Sequence, residues 1–240
     1  MCRGRFRDAF AMTDQLLSEA PENDYLLRGD VVRLQHLGYR FALDWDESER
    51  ALETAADLYR RAGTIVEPAN IATNRAELLI WTDPGSALEA SVKAIEIQTE
   101  MGAQHELGKA YTALAVAQTR LGMHERASAS FRAAAEALER ARYRSGRARA
   151  ELFRAFLHAR TERPDLTVTS VRWAVRELVA AEVYPTLIVM AKLLLDAIGT
   201  ADEEVVNAAC DARNRIDSLD VLTALERRGE ALVTAMLEVR

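Results

Sequence analysis

Cysteine, lysine, proline and glycine are all scarce in this sequence. Only Cys2 and Cys210 occur in 240 residues, too few to staple a fold of this size. Neither lies in a CxxC pair, so the thiols suit a reducing compartment. Five prolines and eleven glycines leave long stretches with nothing to interrupt a helix. Aromatics are 6%, low for a sheet-rich chain, where Tyr, Phe and Trp favour strands. Long apolar runs are missing as well. Leu187 to Ala191 stops at Lys192, far short of the roughly 20 residues that span a bilayer. Arg3, Arg5 and Arg7 precede a short amphipathic stretch where a secretory signal would have an apolar core. These absences predict an all-α, cytoplasmic protein with no membrane partner.

What is abundant agrees. Hydrophobic residues are 49% of the chain, enough for a substantial core, and Leu, Ala, Glu and Arg dominate. An unbroken array of repeats reaches this length without dividing, so residues 1–240 read as one domain. The net charge of −6 argues against bulk nucleic-acid binding, which needs a basic footprint. Its distribution is uneven. Residues 120–163 carry eleven arginines against five glutamates, leaving the remainder at −12. Arg140, Arg142, Arg144, Arg147 and Arg149 are the densest group, and a solvated helix connection is the ordinary use of such a group.

The chain repeats itself. The clearest unit reads Tyr111-x-x-Leu114-Ala115, then Leu121-Gly122, then Ala127, Phe131, Ala134 and Leu138. Two stripes of helical spacing flank a glycine suited to a left-handed turn. Small Ala127 lets the helices approach, and Phe131 fills the gap beside it. Taking Ala127 as the mark, Ala9, Ala51 and Ala87 are earlier equivalents, separated by 42, 36 and 40 residues. Thr167 and Glu204 are weaker later ones. All five prolines fall where the periodicity breaks, four of them where a first helical turn tolerates proline. Gly63, Gly102, Gly122, Gly146 and Gly199 read as helix ends, and Thr200-x-x-Glu203 as a capping box. Twelve helices follow, over 5–19, 24–43, 46–62, 67–81, 84–101, 104–121, 124–141, 144–160, 164–181, 185–198, 201–216 and 219–238.

The unit around Ala127 resembles the tetratricopeptide repeat, matching at Tyr111, Leu114, Ala115, Gly122, Ala127, Phe131 and Ala134. Gln118 departs from the usual first-helix tyrosine. The long period looks like the variant found in bacterial regulators. The resemblance implies a right-handed superhelical solenoid of antiparallel helix pairs, about five to six repeats, with the first and last helices unpaired. Open terminal repeats of that kind would favour self-association. It also implies a binding face on the first helices of the pairs. Transferring the family's ligand positions gives Arg33, His36 and Arg40, then Ala69, Ala72 and Ala76, then Lys109, Thr112 and Val116, then Arg149, Leu152 and Phe156. Of these, Arg33, His36, Arg40, Lys109, Thr112 and Arg149 are the candidate ligand-binding residues. They would line a groove cationic at both ends and smooth in the middle, suited to an acidic peptide or protein. The family's chaperone-tail clamp needs asparagines where Arg40 and Thr73 stand, which argues against a cochaperone.

Catalytic signatures are missing. There is no GxSxG, P-loop or GxGxxG. His105-Glu106 starts like a zinc-protease helix, but Lys109 occupies the second histidine position. His36, His105, His124 and His158 lack metal-ligand spacing. Trp45, Trp81 and Trp173 sit among apolar neighbours, where packing is the commoner use. No cofactor, metal or catalytic residue is expected. A protein- or peptide-binding scaffold, the sensor or docking part of a regulatory system, is the leading reading. A peptide- or small-ligand-responsive transcriptional or signalling regulator is the alternative, and an enzyme accessory subunit is a remote third.

Overall fold

A computed structural model describes residues 3–238, and every regular element in it is an α-helix. The twelve helices are α1 (Phe6–Glu19), α2 (Tyr25–Phe41), α3 (Trp45–Ala62), α4 (Val66–Thr82), α5 (Pro84–Glu100), α6 (Gln104–Arg120), α7 (His124–Arg140), α8 (Arg144–Arg160), α9 (Pro164–Ala180), α10 (Pro185–Ala197), α11 (Glu203–Asn214) and α12 (Leu219–Leu237). Every helix expected from the sequence is present, with ends displaced by two residues or fewer.

The long period has a local cause. Helices α6, α7, α8 and α9 are each 17 residues long and are joined by three-residue turns, so a helix pair occupies forty residues. The turns share one geometry. Gly122 has φ +73°, the amide of Gly122 bonds to Thr119 O, and that of Met123 reaches back to Gln118 O. This is the glycine-closed helix end of the Schellman type. The next three turns place Arg142, Glu162 and Glu182 at the same left-handed position, with φ near +55°. Sequence reading passes over them because nothing about Arg or Glu announces that conformation. Gly146, expected to end a helix, instead lies inside α8, where a Cβ would sit 2.2 Å from the Tyr143 ring. Asp202, not Thr200, caps α11 by accepting from Val205 N at 3.0 Å.

Packing follows the repeat pattern. Pairs α2/α3, α4/α5, α6/α7, α8/α9 and α10/α11 form the array. Ala87, Ala127, Ala134 and Thr167 are fully buried where helices approach, and Phe131 lies beside Ala127 in the same core. The last register mark is Val205, which is buried, rather than the exposed Glu204. Gln118, the departure from the repeat pattern, accepts a hydrogen bond from Ser130 Oγ at 2.8 Å across the α6/α7 pair, so the substitution brings its own partner. Trp45 stacks on Trp81 with centroids 5.5 Å apart, and Trp81 meets Phe153. Trp173 is partly exposed beneath the Arg147 guanidinium.

The ends of the array do not stay open. α1 packs on α2, and α12 packs on α10 and also reaches α6 and α8. The Asp217 carboxylate, in the α11–α12 connection, accepts from the backbone amides of Phe6, Arg7 and Asp8 at 2.6, 3.0 and 3.4 Å. It therefore caps the helix at the far end of the chain. Asp217 N returns a bond to Gly4 O, and Arg228 donates to Leu43 O at 2.7 Å. Gly4 is required here, since φ is +91° and a Cβ would stand 2.5 Å from Arg215 O. α1 and α12 stand outside the five pairs, but their ends are not left open, because the solenoid winds tightly enough for its two ends to meet. Met12, Leu16, Leu26, Leu27 and Leu34 still leave apolar surface exposed on α1 and α2.

Candidate ligand site at the centre of the array

Four first helices bring charge to one point. Glu77, on α4, is buried, and its carboxylate accepts from Arg40 Nη1 of α2 at 2.7 Å and from Arg149 Nη2 of α8. Lys109 of α6 stands 3.7 Å from the same carboxylate and also pairs with Glu106 at 3.0 Å. Burial by itself pushes the Glu77 carboxyl up, but Arg149, Arg40 and Lys109 together outweigh it and hold the group well below the usual carboxylate range. For Arg149 burial acts to lower the pKa, and Glu77, Tyr184 and Tyr143 together more than offset it. Glu77 and Arg149 therefore both stay ionised at neutral pH.

A small cavity of about 30 Å³ adjoins it. Arg40, Glu77, Arg149, Thr112 and Thr186 supply its polar wall, and Phe41, Ile80, Trp81, Phe153 and Leu187 are among its apolar lining. Five first helices, α2, α4, α6, α8 and α10, contribute to this lining.

Three of the six residues singled out from the sequence, Arg40, Lys109 and Arg149, are thus brought together, but around an internal carboxylate. They do not line an open cationic groove. Thr112 is buried nearby, with its hydroxyl donating to Gly108 O at 2.8 Å. His36 is buried against α3, with Nδ1 2.9 Å from Ser48 O. Burial, then the neighbouring Arg40 charge, lowers its pKa to about 3, so it is neutral and adds no charge to the site. Arg33 points elsewhere: Nε donates to the Tyr59 hydroxyl at 3.0 Å, which in turn donates to Asp30. The expected smooth middle is largely internal too, with Ala69 and Ala76 buried and Ala72 half-buried, and Val116, Leu152 and Phe156 on the later helices are also buried. The first-helix surface that repeat arithmetic marks as concave is the core of this tightly wound chain.

Glu77 itself carries one sequence signal, a lone acid in the apolar run Ala76 to Ile80. Its partners lie 37 and 72 residues away, and nothing local specifies them. The arginine-rich stretch is largely consumed by pairing: Arg144 with Glu177, Arg147 with Glu139, Arg140 with Glu136 and Arg149 with Glu77. Among the described residues no group of His, Cys, Asp and Glu is arranged to hold a metal ion, and no helix is long and apolar enough to cross a membrane. Cys210 is exposed and unpaired, and Cys2 lies outside the described residues. A second cleft, about 420 Å³, runs along the seam between the ends of the array, between Phe10, Tyr39 and Asp44 on one side and Asp220, Arg227 and Arg228 on the other.

Comparison with known proteins gives the context. Residues 37–170 match the family described as soluble NSF attachment protein, SNAP, a span that includes Arg40, Glu77, Lys109 and Arg149. No curated protein is significantly similar in sequence. Among solved structures, the apo form of RapI superposes with a TM-score of 0.56 at 15% identity, covering 93% of this chain and 85% of that one. A Rap protein complexed with competence and sporulation factor superposes with a TM-score of 0.63 at 16% identity, covering 93% of this chain and 66% of that one. At these identities the likeness is one of fold, a solenoid of antiparallel helix pairs of the tetratricopeptide kind.

Proposed function

The chain belongs to the soluble NSF attachment protein family, and on that premise we propose that it is a protein- or peptide-binding scaffold, the sensor or docking part of a larger regulatory system, and not an enzyme. The observation that carries this reading is the meeting of Arg40, Glu77, Lys109 and Arg149 from four successive first helices. A solenoid that had only to hold together would be as stable, or more so, with apolar residues of similar volume there. Charges kept at the inner face suit a surface that exchanges an internal partner for an external one. Arginine forks bind carboxylates in two-point fashion, so an acidic protein or peptide segment is the matching partner. It would compete with Glu77 once the seam between the ends parts.

A second reading, a ligand-responsive transcriptional or signalling regulator, is favoured by that seam. Beside the buried Phe6 and Leu43, it is held by a few polar contacts, those of Asp217 and Arg228 foremost, and a ligand that distinguishes open from closed would shift the balance between them. The long repeat period, similar to that of bacterial regulators, and the fold shared with a Rap protein in complex with competence and sporulation factor support it. Both readings place the protein in the cytoplasm, with neither nucleic acid nor membrane as direct partner.

Fluorescence anisotropy with a short labelled peptide rich in Glu and Asp, beside its Lys- and Arg-rich counterpart, tests the scaffold. The acidic peptide should bind at physiological salt, with hydrogen exchange altered on α2, α4, α6 and α8. Equal binding of both peptides, or changes confined to the second helices of the pairs, would count against it.

A further inference from the structure

We propose that the cavity beside Glu77 is a binding site for one small free monocarboxylate, of about the size of formate to propionate. This inference does not depend on the scaffold reading, because it concerns the closed array with no macromolecular partner.

Charge is the first argument. Arg40, Lys109 and Arg149 supply three cations within ion-pair distance of Glu77, and among the described residues Glu106 is the only other acid paired with them. His36, beside Arg40, is neutral. One positive charge is left over in a region where Arg40 and Arg149 are almost wholly buried. Uncompensated charge in such a place is costly, and a single negative charge removes the imbalance.

The second argument is an orphaned donor. Arg149 Nε is buried and has no hydrogen-bond partner among the described residues, although Nη2 of the same group is bonded to Glu77. Buried donors are nearly always satisfied, so this one points to a missing acceptor. Arg149 lines the cavity.

Shape and polarity then narrow the class. The cavity of about 30 Å³ exceeds the roughly 10–15 Å³ that one water needs but admits only a few non-hydrogen atoms. Ile80, Phe153 and Leu187 would cover an apolar stem, while the arginine end takes the carboxylate. A dianion would bring one charge too many, and an amide would bring none. Because α2, α4, α6, α8 and α10 all face the cavity, a bound acid would tie five first helices together and favour the closed array.

The test uses the full chain and two readouts. One is the emission of Trp81, which lines the cavity, and the other is the thermal midpoint. Formate, acetate and propionate are titrated in place of chloride at constant ionic strength, with acetamide as a neutral control. A saturable emission change is expected, with the midpoint raised by about 2–4 °C near saturation and no response to chloride or acetamide. Lys109→Met removes the surplus cation without altering the cavity wall and should weaken binding at least about tenfold. Arg149→Lys keeps the charge but loses Nε and should do the same. Lys109→Met decides the matter if Arg149→Lys does not fold, its own fold being checked by circular dichroism. Chloride acting as well as acetate, a response that never saturates, or a Lys109→Met protein that binds like the parent would overturn the proposal. A response to N-acetylglutamate amide without one to acetate would overturn it too, by assigning the carboxylate to a partner's side chain.

Discussion

Replacing Glu77 by glutamine should destabilise the protein by about 3–5 kcal/mol at neutral pH, because it removes the single carboxylate on which three cations converge. The side chain is 6% exposed and accepts two charge-assisted hydrogen bonds, from Arg40 and Arg149. Such bonds are worth about 1.5–3 kcal/mol each, and glutamine keeps an acceptor for one of them. The rest of the cost is the repulsion among Arg40, Arg149 and Lys109, no longer offset. Equilibrium unfolding in urea, followed by circular dichroism, measures the difference directly. The pH dependence gives an independent check. Glu77 has a depressed folded-state pKa, so its contribution is fully present above the unfolded carboxylate value of about 4.3 and is lost as pH falls through the folded value. The gap between the parent and Glu77→Gln should therefore narrow as the solution is made strongly acidic. A variant within about 1 kcal/mol of the parent at pH 7, or a gap that does not change with acid, would refute the argument that this cluster is an ionised, mutually dependent unit.

Other expectations follow from the same packing. Ala127 is fully buried between helices, so Ala127→Leu should cost about 1–3 kcal/mol through overpacking, read from the urea midpoint. Phe131→Ala should cost about 3–5 kcal/mol, since the ring is almost wholly enclosed. Asp217→Ala removes the cap on α1 and should cost about 0.5–2 kcal/mol, with faster hydrogen exchange at Phe6 to Asp8 and none of the change reaching α7. Reversing the charges of Arg40 and Lys109 together, which would spare the fold if they lined an open groove, should instead lower the thermal midpoint sharply, because Arg40 is buried on Glu77.

The helices and their pairing were legible in the sequence for local reasons. Proline fits the first turn of α5, α9 and α10, and Gly63, Gly102, Gly122 and Gly199 take the left-handed turns that follow helix ends. Ala127 and Phe131 state the interhelical fit within one hairpin. Local signals also misled where two residues competed for one role. Asp202 caps α11 in preference to Thr200, and Val205 takes the buried register position beside exposed Glu204. The candidate site was legible by half. First-helix arithmetic found Arg40, Lys109 and Arg149, yet assigned them to a solvent-facing groove and grouped Arg33 with them.

How tightly the array winds decides between groove and core. Small rotations between successive helix pairs add along a solenoid, and each is set by side chains packing across elements distant in the chain. Glu77 meets Arg149 across 72 residues, and Asp217 meets Phe6 across 211. The sequence by itself determined, to within two residues, where each helix starts and stops and which face it turns to its hairpin partner, because propensity, turn chemistry and periodicity act over a few residues. Only the tertiary structure decided that the inner face closes on itself, since that depends on the summed curvature of the whole array, which no single repeat encodes.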